Sequence, residues 1–190
     1  MKYDVIEIDC PWWYNSRKTG GERKNKTKFG GGAMKHYPLM RDQELIEFKS
    51  TIDDLAEDNC IMFMWATMPR LDFAIQLMQS WGFNYKTVAF TWVKTNKNGS
   101  YRVNPGYYTA SNIELVLIGI KGKNNGLFKP TKTMINQIIA EEIREHSRKP
   151  DAVYNRINLM YPNLKKISVF ARENRHGFDV WGHEVDKFTP

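Results

Sequence analysis

Short apolar runs alternate with polar stretches along the chain, and their lengths and periods predict strands alternating with helices. Residues 3–9, Y-D-V-I-E-I-D, read as a buried strand ending in an acid. Residues 10–40 have no apolar period and are rich in Gly and Lys, which predicts a long loop. Leu45, Ile46, Phe48, Ile52 and Leu55 share roughly one helical face and predict a helix over 42–57. The run C-I-M-F-M-W-A at 60–66 predicts a strand covered on both sides. Pro69 opens a helix that reaches Trp81 and stops at Gly82. Further strands are predicted at 85–93, 113–120 and 166–171, with a short last one at 178–181. A helix begins at Pro150, runs through Met160 and is ended by Pro162-Asn163, whereas 132–140 fits either strand or helix. This order predicts an α/β fold with a mainly parallel, doubly covered sheet, in one domain over 1–190.

Composition sharpens the picture. Apolar residues make up 42% of the 190 residues and aromatics 13%, enough for a substantial core and too much for a disordered chain. The formal net charge of +7 favours an anionic partner. The charge is concentrated: between Ser16 and His36 lie Arg17, Lys18, Arg23, Lys24, Lys26, Lys28 and Lys35 against Glu22 alone, with five glycines. A basic mobile loop over 13–40 is therefore expected, and a second basic, glycine-bearing loop over 94–109. The two cysteines form no Cys-x-x-Cys pair and the four histidines lack zinc spacing, so no metal is expected. No apolar run approaches the roughly 18 residues of a membrane span, and no membrane partner is expected.

Ligands of open α/β sheets bind at the carboxyl ends of strands. Two predicted strand ends carry unusual polar sequences, Asp9-Cys10-Pro11-Trp12 and Phe170-Ala171-Arg172-Glu173-Asn174-Arg175. The first resembles the D-P-P-W motif of the adenine-N6 methyltransferases related to the catalytic subunit of the eukaryotic mRNA methyltransferase, above all their compact bacterial and phage members. The resemblance continues in order through G-G-A-M-K-H-Y-P at 31–38, M-F-M-W-A at 62–66, W-G-F at 81–83, F-T-W-V-K-T-N at 90–96 and G-Y-Y-T at 106–109. It runs on through S-N-I-E at 111–114, R-E-H-S-R-K-P-D at 144–151, F-A-R at 170–172 and W-G-H-E at 181–184, so that it covers nearly the whole chain.

That resemblance implies a Rossmann-like methyltransferase fold and a methyl transfer from S-adenosyl-L-methionine to N6 of adenine in nucleic acid. The lone pair of that amine is delocalised into the ring, so two acceptors on its N–H bonds favour the pyramidal form that can attack. The Asp9 carboxylate and the Cys10 carbonyl are expected to be those acceptors; Pro11 biases residue 10 toward an extended backbone, and Trp12 is expected to offer a face to the extruded base. The resemblance further implies that Asp9, Arg172, Asn174, His183 and Glu184 meet the cofactor, that Lys149 contacts the cofactor carboxylate or lies beside the target, and that Tyr37 and Glu114 lie near the target base. Two positions depart from the family pattern: Cys10 stands where a proline is usual, and His183 where an asparagine is. DNA is favoured over RNA, in a bacterial cytosol or a phage-infected host cytosol; an RNA methyltransferase and an inactive nucleic-acid-binding subunit are the alternatives. The partner is expected to be flipped or single-stranded adenine, and a homodimer is compatible with the sequence.

Lys24, Lys26 and Lys28 are expected to grip phosphates beside the target. Neutralising all three to Gln should reduce the slope of log affinity against log salt by roughly 2–3. Binding isotherms at several salt concentrations measure it, and an unchanged slope would remove these lysines from the interface.

Overall fold

A computed structural model describes residues 1–13, 39–106, 108–123, 128–131, 134–182 and 185–187. Tyr37, Lys24, Lys26, Lys28, His183 and Glu184 lie outside the described residues.

The elements run β1 (Tyr3–Ile8), α1 (Asp42–Glu47), α2 (Lys49–Leu55), β2 (Ala56–Ala66), a 3-10 turn (Met68–Arg70), α3 (Leu71–Ser80), β3 (Asn84–Thr95), β4 (Ile113–Lys121), β5 (Ile138–Glu142), α4 (Asp151–Met160), β6 (Lys166–Val169) and β7 (Asp179–Trp181). They form a seven-stranded sheet in the order β5-β3-β4-β2-β1-β6-β7. Four neighbouring pairs are parallel; only β4 runs antiparallel, to both β2 and β3. The sheet is thus mostly parallel and Rossmann-like, as the sequence predicts.

Strand alternation sorts the core onto two faces. Ile6 and Ile8 of β1 join Met62 and Met64 of β2, Leu45, Ile52, Leu77 and Met78, so α1, α2 and α3 cover one face. Val5 joins Ile61, Phe63 and Trp65, Val153, Tyr154 and Ile157, so α4 covers the other. Gly119 of β4 lets α3 approach: a Cβ there would lie 2.3 Å from Met78 Sδ and 3.1 Å from Phe83 Cβ.

Several boundaries differ from expectation. The helix predicted over 42–57 divides at Phe48, whose ring packs 4.9 Å from Phe170 and 5.2 Å from Trp181, and Ile46 faces solvent instead of the core. β2 begins at Ala56, four residues before the apolar run, because Tyr3 pairs with Ala56 before a register shift. The ambiguous 132–140 stretch contributes the start of a strand, β5, along β3. β6 ends at Val169, because Phe170 takes φ 59, a left-handed conformation that few bulky residues adopt.

Gly119→Ala should cost about 1–3 kcal/mol, the typical price of overpacking a core. Urea denaturation measures it, and an undiminished midpoint would show that Met78 relocates freely.

Candidate active site

The carboxyl ends of β1, β2 and β3 lie along one edge of the sheet. Because β4 is antiparallel, its amino end reaches the same edge: Leu115 pairs with Ala66 and Glu114 with Trp92. The segment that joins β5 to α4 returns to that edge and delivers Lys149, immediately before Pro150 at the helix cap.

Here three sequence-predicted residues converge. The Lys149 ammonium lies 3.0 Å from Asp9 Oδ2 and 3.1 Å from Glu114 Oε2, with its nitrogen 5.1 Å from the centre of the Trp65 ring. Lys94 extends the chain of alternating charges, 2.6 Å from Glu114 Oε1. Lys149 is only 9% exposed. Burial pushes its pKa down, but Asp9 and Glu114 outweigh burial and hold it above the ordinary lysine value. Burial pushes Asp9 up; Lys149 pulls it back only in part. Glu114 is also pushed up by burial, yet Lys149 and Lys94 together leave it below the usual value.

The backbone of Lys149 is held as firmly as its side chain. Arg144 and Arg175 both donate to its carbonyl, at 2.7 and 3.0 Å, and both pair with Asp151 in the first turn of α4. Arg175 lies 3.9 Å from the centre of the Tyr154 ring and pairs with Glu173, which also meets Arg148 at 2.8 Å. Arg148, Lys149, Tyr154, Glu173 and Arg175 line an open cleft between the ends of β1 and β6, together with Asp9, Phe170 and Arg172. Phe170's left-handed turn carries the chain from β6 into this wall.

The strand-end turn after Asp9 is closed by a bond from Trp12 N–H to the Cys10 carbonyl, 2.9 Å, with Pro11 at its centre. A carbonyl oxygen has two lone pairs, so the Cys10 carbonyl retains capacity for a second donor. Trp12 is enclosed: it is 4% exposed, edge-on to Phe73 at 6.2 Å, with Arg70 at 5.9 Å. The open stacking face expected of Trp12 is therefore absent in this arrangement, and the ring instead anchors the turn to α3. Pro11 and Trp13 exchange backbone bonds with Met40, which brings the two flanks of the expected basic loop together. Arg172 lines the cleft and donates to the His146 carbonyl, whereas Asn174 is exposed and does not line it.

Residues that sequence reasoning missed lie deeper. Glu7 is fully buried, at 0% exposure, two residues before Asp9 on the same face of β1. Its Oε1 accepts from Trp65 Nε1 at 2.8 Å and from the Tyr154 hydroxyl at 3.2 Å; Oε2 accepts from Ser168 at 2.5 Å. Burial, opposed by the Ser168 bond and helped by the Asp9 charge, pushes the Glu7 carboxyl up to about 7. The signal was available: a carboxylate inside a continuously apolar strand must have buried partners.

The described residues contain no helix long and apolar enough to cross a membrane. The sheet order, with a carboxylate and a cleft at the carboxyl ends of the strands, is that of a Rossmann-like fold with its ligand site at the usual edge. The chain belongs to the MT-A70 family of methyltransferases, whose family model matches residues 3–184. It is 38% identical to the Type II methyltransferase M.MunI of a Mycoplasma species, over 97% of this chain and 78% of that protein. It is 31% identical to a putative N(6)-adenosine-methyltransferase MT-A70-like protein of Medicago truncatula, over 92% of this chain and 25% of that protein. It is 28% identical to the human N(6)-adenosine-methyltransferase catalytic subunit METTL3, over 72% of this chain and 23% of that protein.

Glu7 gives a pH dependence of known sign. A carboxyl raised from 4.5 to about 7 contributes stability that is whole below about 4.5 and is lost as pH rises through about 7. Glu7→Gln should therefore gain on the wild type between pH 5 and 8, by at most roughly 3 kcal/mol. Denaturation midpoints of both proteins across that range measure it; parallel pH curves would contradict the assignment.

Proposed function

We propose that this chain transfers the methyl group of S-adenosylmethionine to N6 of adenine in nucleic acid, and that DNA is preferred to RNA. The observation that carries the reading is the Asp9 carboxylate at the end of β1, fixed by Lys149 at the mouth of a cleft whose other wall is the end of β6. The cleft suits a ligand that bears a carboxylate, an ammonium and a sulfonium: Lys149 and Arg172 can meet the first, and Asp9 and Glu173 the cations. His183 and Glu184, by their match to the family pattern, complete the cofactor set in this proposal.

S-adenosylmethionine supplies a methyl group on a positively charged sulfur that leaves as a neutral thioether. Asp9, through the oxygen that does not face Lys149, accepts one N–H of the adenine amine, and the second lone pair of the Cys10 carbonyl accepts the other. The two acceptors draw the nitrogen toward a tetrahedral shape and direct its lone pair at the methyl carbon. As the new N–C bond forms, the surplus proton leaves by way of Asp9 to water. Lys149 stays protonated and keeps Asp9 closer to its ionised, accepting form. Glu114 and Lys94 border the same edge and can meet the ring of an extruded base.

Residues 96–111 support a nucleic-acid partner. Two separate antiparallel bridges, Thr95–Tyr101 and Asn104–Ser111, shape the segment between β3 and β4. The segment exposes Tyr101, Val103 and Tyr108 beside the exposed cations Lys97 and Arg102, the combination that stacks bases and meets phosphates. The preference for DNA rests on the comparisons: the chain aligns with most of a compact bacterial methyltransferase, but with only about a quarter of proteins named for a ribonucleoside.

Asp9→Ala should lower single-turnover methylation by about 100- to 1,000-fold, the usual effect of removing one fixed transition-state partner. The melting temperature should change little, because Lys149 keeps Glu114. Matched DNA and RNA oligonucleotides, each with one adenine, test the substrate in the same assay. Near-normal turnover would remove Asp9 from the chemistry, and faster methylation of RNA would reverse the preference.

A further inference from the structure

Glu7 lines the same cleft as Asp9 and Lys149, but its hydrogen bonds go to other residues. Its three donors come from three other elements: Trp65 from β2, Tyr154 from α4 and Ser168 from β6. Two of those donors are rings that carry the cations of the site. The Trp65 ring carries the Lys149 ammonium at 5.1 Å. The Tyr154 ring carries Arg175 at 3.9 Å, and Arg175 in turn binds the Lys149 carbonyl at 3.0 Å. A cation is attracted to a ring face only while that face is presented to it. One carboxylate therefore orients both supports of Lys149, one under its side chain and one behind its backbone.

We propose that Glu7 is a positioning residue for methyl transfer: by holding the Trp65 and Tyr154 rings it fixes Lys149, and through Lys149 it sets the placement and ionisation of Asp9. This rests on the transferase reading above. Glu7 is an expensive residue for that place, since a buried carboxylate without donors is strongly disfavoured. An apolar residue could pack the strand but would leave the indole N–H and the phenol O–H without their acceptor. Ser168, on the neighbouring strand in register with Glu7, settles the remaining oxygen.

Two substitutions separate the hydrogen bonds from the charge. Glu7→Gln and Glu7→Met both remove the negative charge and have similar length. Gln keeps an oxygen for Trp65 and Tyr154, and its amide can donate to Ser168, whose hydroxyl then accepts. Met keeps the volume and none of the bonds.

Three readouts on the full chain decide between them. In single-turnover methylation, Glu7→Met should be slower than Glu7→Gln by about 10- to 100-fold, the cost of a misplaced reacting group. The acid limb of its pH–rate profile should lie about one unit higher, because Asp9 loses part of its cationic neighbour. Acetylation of the Lys149 amine, followed by peptide mass spectrometry, should be severalfold faster in Glu7→Met and near wild type in Glu7→Gln. A merely structural role would lower stability without moving the acid limb. Should Glu7→Met fail to fold, Tyr154→Phe gives the same readouts, because it keeps the ring under Arg175 and removes only the hydroxyl that Glu7 holds. Equal acid limbs and equal Lys149 labelling in folded Met and Gln variants would overturn the proposal. Absence of transfer by the wild type would instead overturn the reading of function, and the labelling would still decide the role of Glu7.

Discussion

A single buried ammonium organises the site. Lys149 has little access to water, and an unpaired charge there would cost several kcal/mol. It is retained because Asp9 and Glu114 flank it and the Trp65 face lies beneath it. The requirement is mutual, since each carboxylate is itself partly buried and would resist ionisation without the lysine. The end of β1, the start of β4 and the entry to α4 therefore cannot move independently. Removing Lys149 would leave both carboxylates without their shared cation, a loss that typically costs about 3–5 kcal/mol, so the electrostatics and the fold stabilise one another.

The sheet makes this meeting possible. A purely parallel sheet would send the amino end of β4 to the opposite edge. Reversing β4 brings Glu114 beside the carboxyl ends of β1 and β2, and Lys94 at the end of β3 beside Glu114. Strand alternation does the rest: Glu7 and Asp9 share the face covered by α4, where Trp65 and Tyr154 also point. Arg144, Arg175 and Asp151 then close the helix entry around the Lys149 carbonyl.

Much of this was legible in the sequence, and the limits have physical causes. Continuous apolar runs located β1, β2 and β4, because strands covered on both faces need apolar residues at every position. The resemblance carried by Asp9, Glu114 and Lys149 picked out residues that converge within one ion-paired group. The split of 42–57 at Phe48 was not legible, since it depends on a distant cluster with Phe170 and Trp181. Trp12 was read as an open face, but its neighbours Phe73 and Arg70 come from a helix whose placement no local pattern gives. Glu7 was passed over because one acid scarcely alters the apolar character of a short run, although its burial demands partners. Arg144 and Arg175 look like ordinary surface cations until the fold aims both at one carbonyl.

The central claim is that the ends of β1 and β6 enclose the methyl donor beside Asp9. A crystal structure of the full chain with S-adenosylhomocysteine, the demethylated product, tests it most directly. The account predicts the product in the cleft lined by Asp9, Lys149 and Arg172, with its sulfur facing the Asp9–Cys10 turn. Product bound at the opposite edge of the sheet, or separated from Asp9 by the Lys149 side chain, would contradict it.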